Sequence, residues 1–91
     1  MSEVRENKIK KLKIRSMRRG IKEMDVILSY YSDICLEKMS GVKLELYSDL
    51  LFENDQDLYN WCSGQAVPKE KYSVIIAEIR AILKEKNFDY L

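Results

Sequence analysis

Apolar residues recur every three or four positions along almost the whole chain, and this spacing constrains the fold more than any other feature. It is strictest near the end of the sequence, at Tyr72, Ile75, Ile76, Ile79, Ile82 and Leu83. One face of an α-helix repeats with this period, whereas a half-buried strand alternates every second residue. The sequence has no β-rich alternating run. We therefore predict an all-α fold, a small antiparallel bundle of about five short helices.

Residues that start or stop helices divide this pattern into five pieces. The predicted helices cover about 6–18, 21–39, 42–52, a short stretch after Asp55, and about 68–86. Asp55 is the predicted N-cap of the fourth helix, and Pro68 suits the first turn of the fifth. Gly20 is expected to end the first helix in the left-handed conformation, and Gly64 to end the fourth. Ser32-Asp33 could cap a restart that divides the second helix in two.

A chain of 91 residues has room for one domain, which we place at 1–91, with about 1–5 and 87–91 as flexible tails. Trp61 is expected to hold the short fourth helix on the bundle, and the tyrosines have the spacing of core residues.

Several classes of chemistry are disfavoured by the residue content. The chain has no histidine, which is the commonest general base and the usual zinc ligand. Cys35 and Cys62 are far apart and cannot complete a zinc site by themselves, so we expect free core thiols in a reducing compartment. The three glycines form no phosphate-binding pattern. No apolar run approaches the roughly 20 residues of a membrane span, so we expect no direct membrane insertion.

Glu53, Asp55 and Asp57 lie close enough in sequence to suggest a metal-binding loop. An EF-hand needs a glycine at its sixth position and a glutamate at its twelfth, and neither is present in any of the three registers. We interpret these acids as a helix cap and first-turn residues that interact with the helix dipole, and we predict no metal site.

Charge is distributed unevenly along the chain. Residues 1–22 contain nine cations and two acids, which gives +7, and residues 23–57 contain two cations and nine acids, which gives −7. The basic segment could bind the phosphates of a nucleic acid, so a small nucleic-acid-binding protein is the alternative function. It contains no aromatic residue to stack on a base, and the acidic segment would repel a polyanion. A protein-docking face and a merely solvated helix are the other interpretations.

One local group favours protein docking. Arg18 and Arg19 precede Gly20, and Glu23 and Asp25 follow it. A glycine lets another backbone approach closely, and the charged pair offers hydrogen-bond donors and an acceptor to a partner. Arg19 and Glu23 could equally bridge each other.

The same stretch, Arg15-Ser16-Met17-Arg18-Arg19-Gly20-Ile21-Lys22-Glu23-Met24-Asp25, resembles the RSxRRGxxExD signature of the succinate dehydrogenase flavinylation factors. A second block, with Leu50-Leu51, Asp55, Asp57-Leu58, Trp61, Gly64 and Pro68, resembles their LLxxxDxDLxxWxxGxxxP stretch. Asn54 stands where relatives often have proline.

The resemblance implies a small five-helix assembly factor that is not an enzyme and has no catalytic residues. It would bind the flavoprotein subunit of succinate dehydrogenase and promote covalent attachment of FAD to a histidine of that client. Related bacterial members also serve fumarate reductase. The implied partner-binding residues are Arg18, Arg19, Gly20, Glu23 and Asp25. FAD would be carried by the client, with no cofactor held tightly here and no nucleic acid bound.

We also expect a monomer. The sequence lacks an apolar secretory signal and an extension ahead of the matched block, which favours the bacterial cytoplasm, or the mitochondrial matrix for an organellar source.

Overall fold

The computed structural model describes residues 2–86 and contains five α-helices in that range. They are α1 (Ser2–Met17), α2 (Lys22–Cys35), α3 (Gly41–Leu50), α4 (Asp55–Ser63) and α5 (Ser73–Glu85). Single-turn 3-10 helices follow α2 at Leu36–Lys38 and precede α5 at Glu70–Tyr72. No strand occurs between residues 2 and 86, which confirms the all-α prediction. None of the helices in this range combines the length and apolarity that crossing a bilayer requires.

All five helices contribute apolar side chains to a single core. Its largest fully buried members are Tyr31, Tyr47, Tyr72, Met24, Ile27, Leu28, Leu36, Leu44, Leu50, Leu58, Ile75 and Ile76. One polar contact lies inside it, where the buried hydroxyl of Ser16 is 2.6 Å from that of Tyr47 and 2.7 Å from the Leu12 carbonyl oxygen. Because buried polar groups are costly without partners, this contact keeps the junction of α1 and α3 in one arrangement.

Contacts along α1 show that it runs antiparallel to α2. The Arg5 guanidinium donates to the carbonyl of Glu37 beyond the end of α2, at 3.1 Å. Further along, Lys13 pairs with Asp33, and the backbone N–H of Arg19 donates to a carboxylate oxygen of Asp25 near the start of α2. Positions that advance along α1 therefore meet positions that recede along α2, as predicted for neighbours joined by a short turn.

The first helix begins at Ser2 rather than near residue 6. Residues 2–5 are therefore part of a helix and not part of the flexible tail predicted at 1–5. Arg5 explains the difference, since its guanidinium also donates to the Met39 carbonyl at 2.6 Å. This bond ties the first turns of α1 to the segment after α2 and offsets the tendency of an end to fray. Residue 1 and the predicted tail at 87–91 lie outside the described residues.

Three further boundaries differ from the sequence prediction. The N-cap of α4 is Asn54, not Asp55, because the Asn54 side chain accepts hydrogen bonds from the backbone N–H groups of Gln56 and Asp57. Pro68 is not in the first turn of α5, which begins only at Ser73, after the intervening 3-10 turn. Finally, α2 continues through Ser32, whose hydroxyl donates back to the Ser29 carbonyl, so no restart occurs there.

The glycine predictions are half right. Gly64 ends α4 in the left-handed conformation with φ of 83°, and its N–H is bonded back to the helix. This is the conformation that glycine adopts at least cost. Gly20 does not have a positive φ, so its presence needs a different explanation, which comes from its surroundings.

Candidate partner-binding site

The predicted site residues lie in the turn between α1 and α2 and in the first turn of α2. The turn between the two helices spans 18–21, and Ile21 caps α2 in an extended conformation without a side-chain hydrogen bond. The Asp25 carboxylate stabilises this turn by accepting from the Arg19 N–H. Glu23 and Asp25 both lie in the first turn of α2, where negative charge interacts favourably with the helix dipole.

Arg19 points into the protein. Its side chain is only 10% exposed and forms an ion pair with Asp55, with Nε 2.7 Å from Oδ1. The two terminal nitrogens donate to the carbonyl oxygens of Leu51 at 3.0 Å and Glu53 at 3.3 Å. The guanidinium therefore joins the α1–α2 turn to the α3–α4 turn through three hydrogen bonds, and its planar donor fork suits this task.

Asp55 binds Gly20 as well as Arg19. Its second oxygen accepts from the Gly20 N–H at 2.6 Å. A Cβ atom at position 20 would lie 3.1 Å from that oxygen, which is tighter than nine in ten real Cβ contacts. Glycine thus suits this position because of the close approach to Asp55 rather than because of a left-handed backbone. We call this group of three residues, Arg19, Gly20 and Asp55, the clasp.

Arg18, Gly20 and Glu23 are accessible from outside, in contrast to Arg19. Arg18 and Gly20 are exposed, and Glu23 is half-buried. Within residues 2–86 the Arg18 and Glu23 side chains have no hydrogen bond or ion pair. The possible Arg19–Glu23 bridge is not formed, because Arg19 pairs with Asp55 instead. The predicted set therefore divides: Arg19 and Asp25 hold the turn, and Arg18, Gly20 and Glu23 face outward.

Asp55 is the site residue that sequence reasoning missed. It was assigned to the cap of α4, and its link to Arg19 spans 36 positions in sequence. Two signals were available: Asp55 belongs to the second block that resembles the family, and the adjacent Asn54 can cap α4 just as well, which leaves the carboxylate next to it without a local role.

Most cations of α1 already have partners within the protein. Lys8 pairs with Glu45 of α3, and Lys13 pairs with Asp33 and Glu37. Arg15 donates to the Ser48 hydroxyl at 3.1 Å and to the Ser48 carbonyl at 3.0 Å. Lys8 and Lys13 are therefore paired with acids of the neighbouring elements, whereas Arg15 is held by an uncharged residue.

Neither thiol has the environment of a nucleophile. Burial raises the pKa of Cys62 to about 12, and burial together with the charge of Glu78 raises the pKa of the half-buried Cys35. Both sulfurs are therefore protonated near neutral pH. Only the deprotonated thiolate form of cysteine is strongly nucleophilic. In residues 2–86 no three cysteine or acidic side chains come close enough together to hold a metal ion.

The fold and the clasp define a small helical protein with an exposed polar turn. Comparison with known proteins gives the family: residues 10–83 match the family described as flavinator of succinate dehydrogenase, and the chain belongs to it. The resemblance seen in the two sequence blocks is thus confirmed.

Curated relatives come from fungi and from a bacterium. The succinate dehydrogenase assembly factor 2, mitochondrial, of Schizosaccharomyces pombe is 37% identical over 77% of this chain and 50% of its own length. The same-named protein of Aspergillus terreus is 42% identical over 66% of this chain and 20% of its own. The FAD assembly factor SdhE of Francisella tularensis subsp. tularensis is 31% identical over 79% of this chain and 73% of its own. The chain thus spans half or less of these two fungal relatives.

Proposed function

We propose that this chain binds the flavoprotein subunit of succinate dehydrogenase and promotes covalent attachment of FAD to a histidine of that subunit. Membership of the flavinator family and the bacterial relative's name, FAD assembly factor, support the proposal. The structural observation that carries it is the exposed Gly20, whose backbone is held by Asp55 in a fixed position beside outward-facing Arg18 and Glu23.

The proposed contact uses the backbone at Gly20 as much as the side chains around it. Gly20 is exposed and has no side chain, so a segment of the flavoprotein can come within backbone contact of the turn. Glu23 can then accept hydrogen bonds from the partner and Arg18 can donate them, and neither has to release a partner within residues 2–86 first. Because the clasp already fixes the turn, little conformational entropy is lost on binding.

The proposed role is conformational rather than catalytic. This chain has no histidine, so the acceptor histidine belongs to the client, and FAD is carried by the client as well. Flavin chemistry supplies the reactivity. By holding the client in one arrangement, the factor would keep the acceptor histidine and FAD together. Groups fixed in this way react with effective molarities of roughly 10⁵–10⁸ M.

Several finer points belong to the same proposal. We propose a monomer that acts on succinate dehydrogenase, with fumarate reductase as a further bacterial client. The bacterial cytoplasm or the mitochondrial matrix is the proposed place of action, since the fungal relatives are named mitochondrial and SdhE is bacterial. The nucleic-acid alternative is weakened by the internal pairing of Lys8, Lys13 and Arg15. A gel shift at moderate salt tests it, since phosphate contacts would give binding that weakens steeply with salt.

The proposal is tested by capturing the flavoprotein subunit with tagged protein, comparing Gly20→Arg with Gly41→Arg. The two changes are chemically identical, but Gly41 faces open space at the start of α3, with nothing within 4 Å of an added Cβ. We expect wild type and Gly41→Arg to capture the subunit. Gly20→Arg should lose it while circular dichroism melting shows the variant to be folded, a check that is needed because the new Cβ also crowds Asp55 at 3.1 Å. Equal capture by the two variants would remove the Gly20 turn from the interface, and failure of wild type to bind would overturn the proposed function.

A further inference from the structure

Phe52 is an exposed aromatic residue on an unusually well-held turn. It lies between α3 and α4 and is 79% exposed, although phenylalanine is among the residues most often buried. Its neighbours on both sides are fixed, because the carbonyls of Leu51 and Glu53 both accept from the Arg19 guanidinium. Its own N–H donates to the Asp49 carbonyl at 3.1 Å. The backbone that presents the ring is therefore pinned before and after it.

The ring itself is supported by Arg15. The guanidinium carbon of Arg15 lies 4.3 Å from the ring centroid, and the same guanidinium is held by Ser48. A cation over an aromatic face favours this stacked arrangement. The ring thus has one face on a fixed arginine, while most of the residue remains in water.

Phe52 and Gly20 are both next in sequence to residues that the clasp holds. Gly20 follows Arg19 in sequence, and Phe52 is adjacent to both residues whose carbonyls Arg19 binds. The Asp55 carboxylate contacts both Arg19 and Gly20. The clasp therefore holds the Gly20 turn and the α3–α4 turn next to each other.

We infer that Phe52 is an apolar anchor of the partner-contact surface and enters an apolar recess of the flavoprotein subunit. This inference rests on the proposed function. A few aromatic or arginine residues carry most of the energy of a typical interface, and rigid presentation lowers the entropy lost on binding. A protein is favoured over an anionic membrane as the partner because the exposed Asp57 lies close to the ring in sequence and would be repelled by anionic lipid.

Binding of the purified flavoprotein subunit by Phe52→Ala, compared with Val42→Ala, tests the inference. Val42 is 83% exposed and lies at the other end of α3, so its truncation controls for loss of exposed apolar surface. We expect Kd to rise at least about thirtyfold for Phe52→Ala, the size of a hot-spot effect, and to stay within about twofold of wild type for Val42→Ala. Phe52→Trp should bind like wild type, since it keeps an aromatic ring over Arg15.

Each outcome decides between the two proposals. Wild-type binding with an unchanged Kd for Phe52→Ala would refute the anchor and leave the proposed function standing. If the wild-type protein does not bind the flavoprotein subunit, the proposed function itself is refuted. A third arm measures sedimentation with vesicles of anionic phospholipid. Sedimentation of wild type that Phe52→Ala abolishes would assign the ring to a membrane and overturn the inference. Circular dichroism melting confirms that the variants remain folded.

Discussion

Removing the Asp55 carboxylate should destabilise the protein more than a change at an exposed acid of the same helix. Asp55 accepts two hydrogen bonds, from Arg19 Nε at 2.7 Å and from the Gly20 N–H at 2.6 Å. The side chains of Arg19 and Asp55 are 10% and 19% exposed, so water screens their interaction only in part. Alanine at position 55 would leave a largely buried guanidinium without its counter-ion.

The size of the effect follows from these contacts. Breaking a fully buried ion pair by removing one partner costs about 3–5 kcal/mol. Arg19 would keep its bonds to the Leu51 and Glu53 carbonyls and some contact with water, so we expect a loss of about 3 kcal/mol in the free energy of unfolding for Asp55→Ala. Asp55→Asn should lose about 2 kcal/mol, because an amide has one acceptor oxygen for two donors.

Urea unfolding followed by far-UV circular dichroism measures these differences, with Asp57→Asn as the control. Asp57 is exposed in the same first turn of α4, so its loss removes only a helix-dipole interaction of about 0.3–1 kcal/mol. A cycle with Arg19→Met should give a coupling of about 1–3 kcal/mol. If Asp55→Asn is no more destabilising than Asp57→Asn, the clasp contributes nothing to stability and the reasoning is refuted.

Three further predictions concern the rest of the fold. Trp61→Ala should cost about 3–5 kcal/mol, seen in urea unfolding, because the buried ring packs on that of Tyr72. Gly64→Ala should lower stability by about 1–2 kcal/mol, since φ is 83° and the new Cβ would lie 2.8 Å from the flexible end of Arg80. The contribution of Cys62 to stability should be constant below about pH 9 and fall above it, because burial raises the folded-state pKa of Cys62 to about 12 from an ordinary value of 9.0. Unfolding then releases protons, and the pH dependence of the urea midpoint, reduced in Cys62→Ala, checks this.

Local spacing was sufficient to predict the helices and much of the core. The periodic residues of α5, including Ile75, Ile76 and Ile79, are buried as expected. Gly64 ends α4 as predicted, since this stop depends only on residues nearby in sequence. Boundaries that depend on distant contacts were predicted less well, as at the start of α1, where Arg5 bonds to the segment after α2.

The candidate site could be predicted only in part for the same reason. Gly20 and its charged neighbours stand out in the sequence, but their division into inward and outward side chains depends on Asp55, 36 positions beyond Arg19. Asparagine and aspartate both cap helices, so the capping rule alone could not separate Asn54 from Asp55. Only the tertiary structure shows that Asn54 caps α4 and that the Asp55 carboxylate binds Gly20 instead. Side-chain direction at a turn is a property of packing, which spacing does not encode.

The central claim is that the outward-facing Gly20 turn must contact the client before FAD is attached. The direct measurement incubates the apo flavoprotein subunit with FAD and this protein, then reads covalent flavin fluorescence in the client band of a denaturing gel. We expect strong fluorescence with wild type and Gly41→Arg, little with Gly20→Arg and a reduced signal with Glu23→Ala, all four proteins being folded by circular dichroism. Fluorescence that is the same with all four proteins, or the same with and without wild type, would contradict the account.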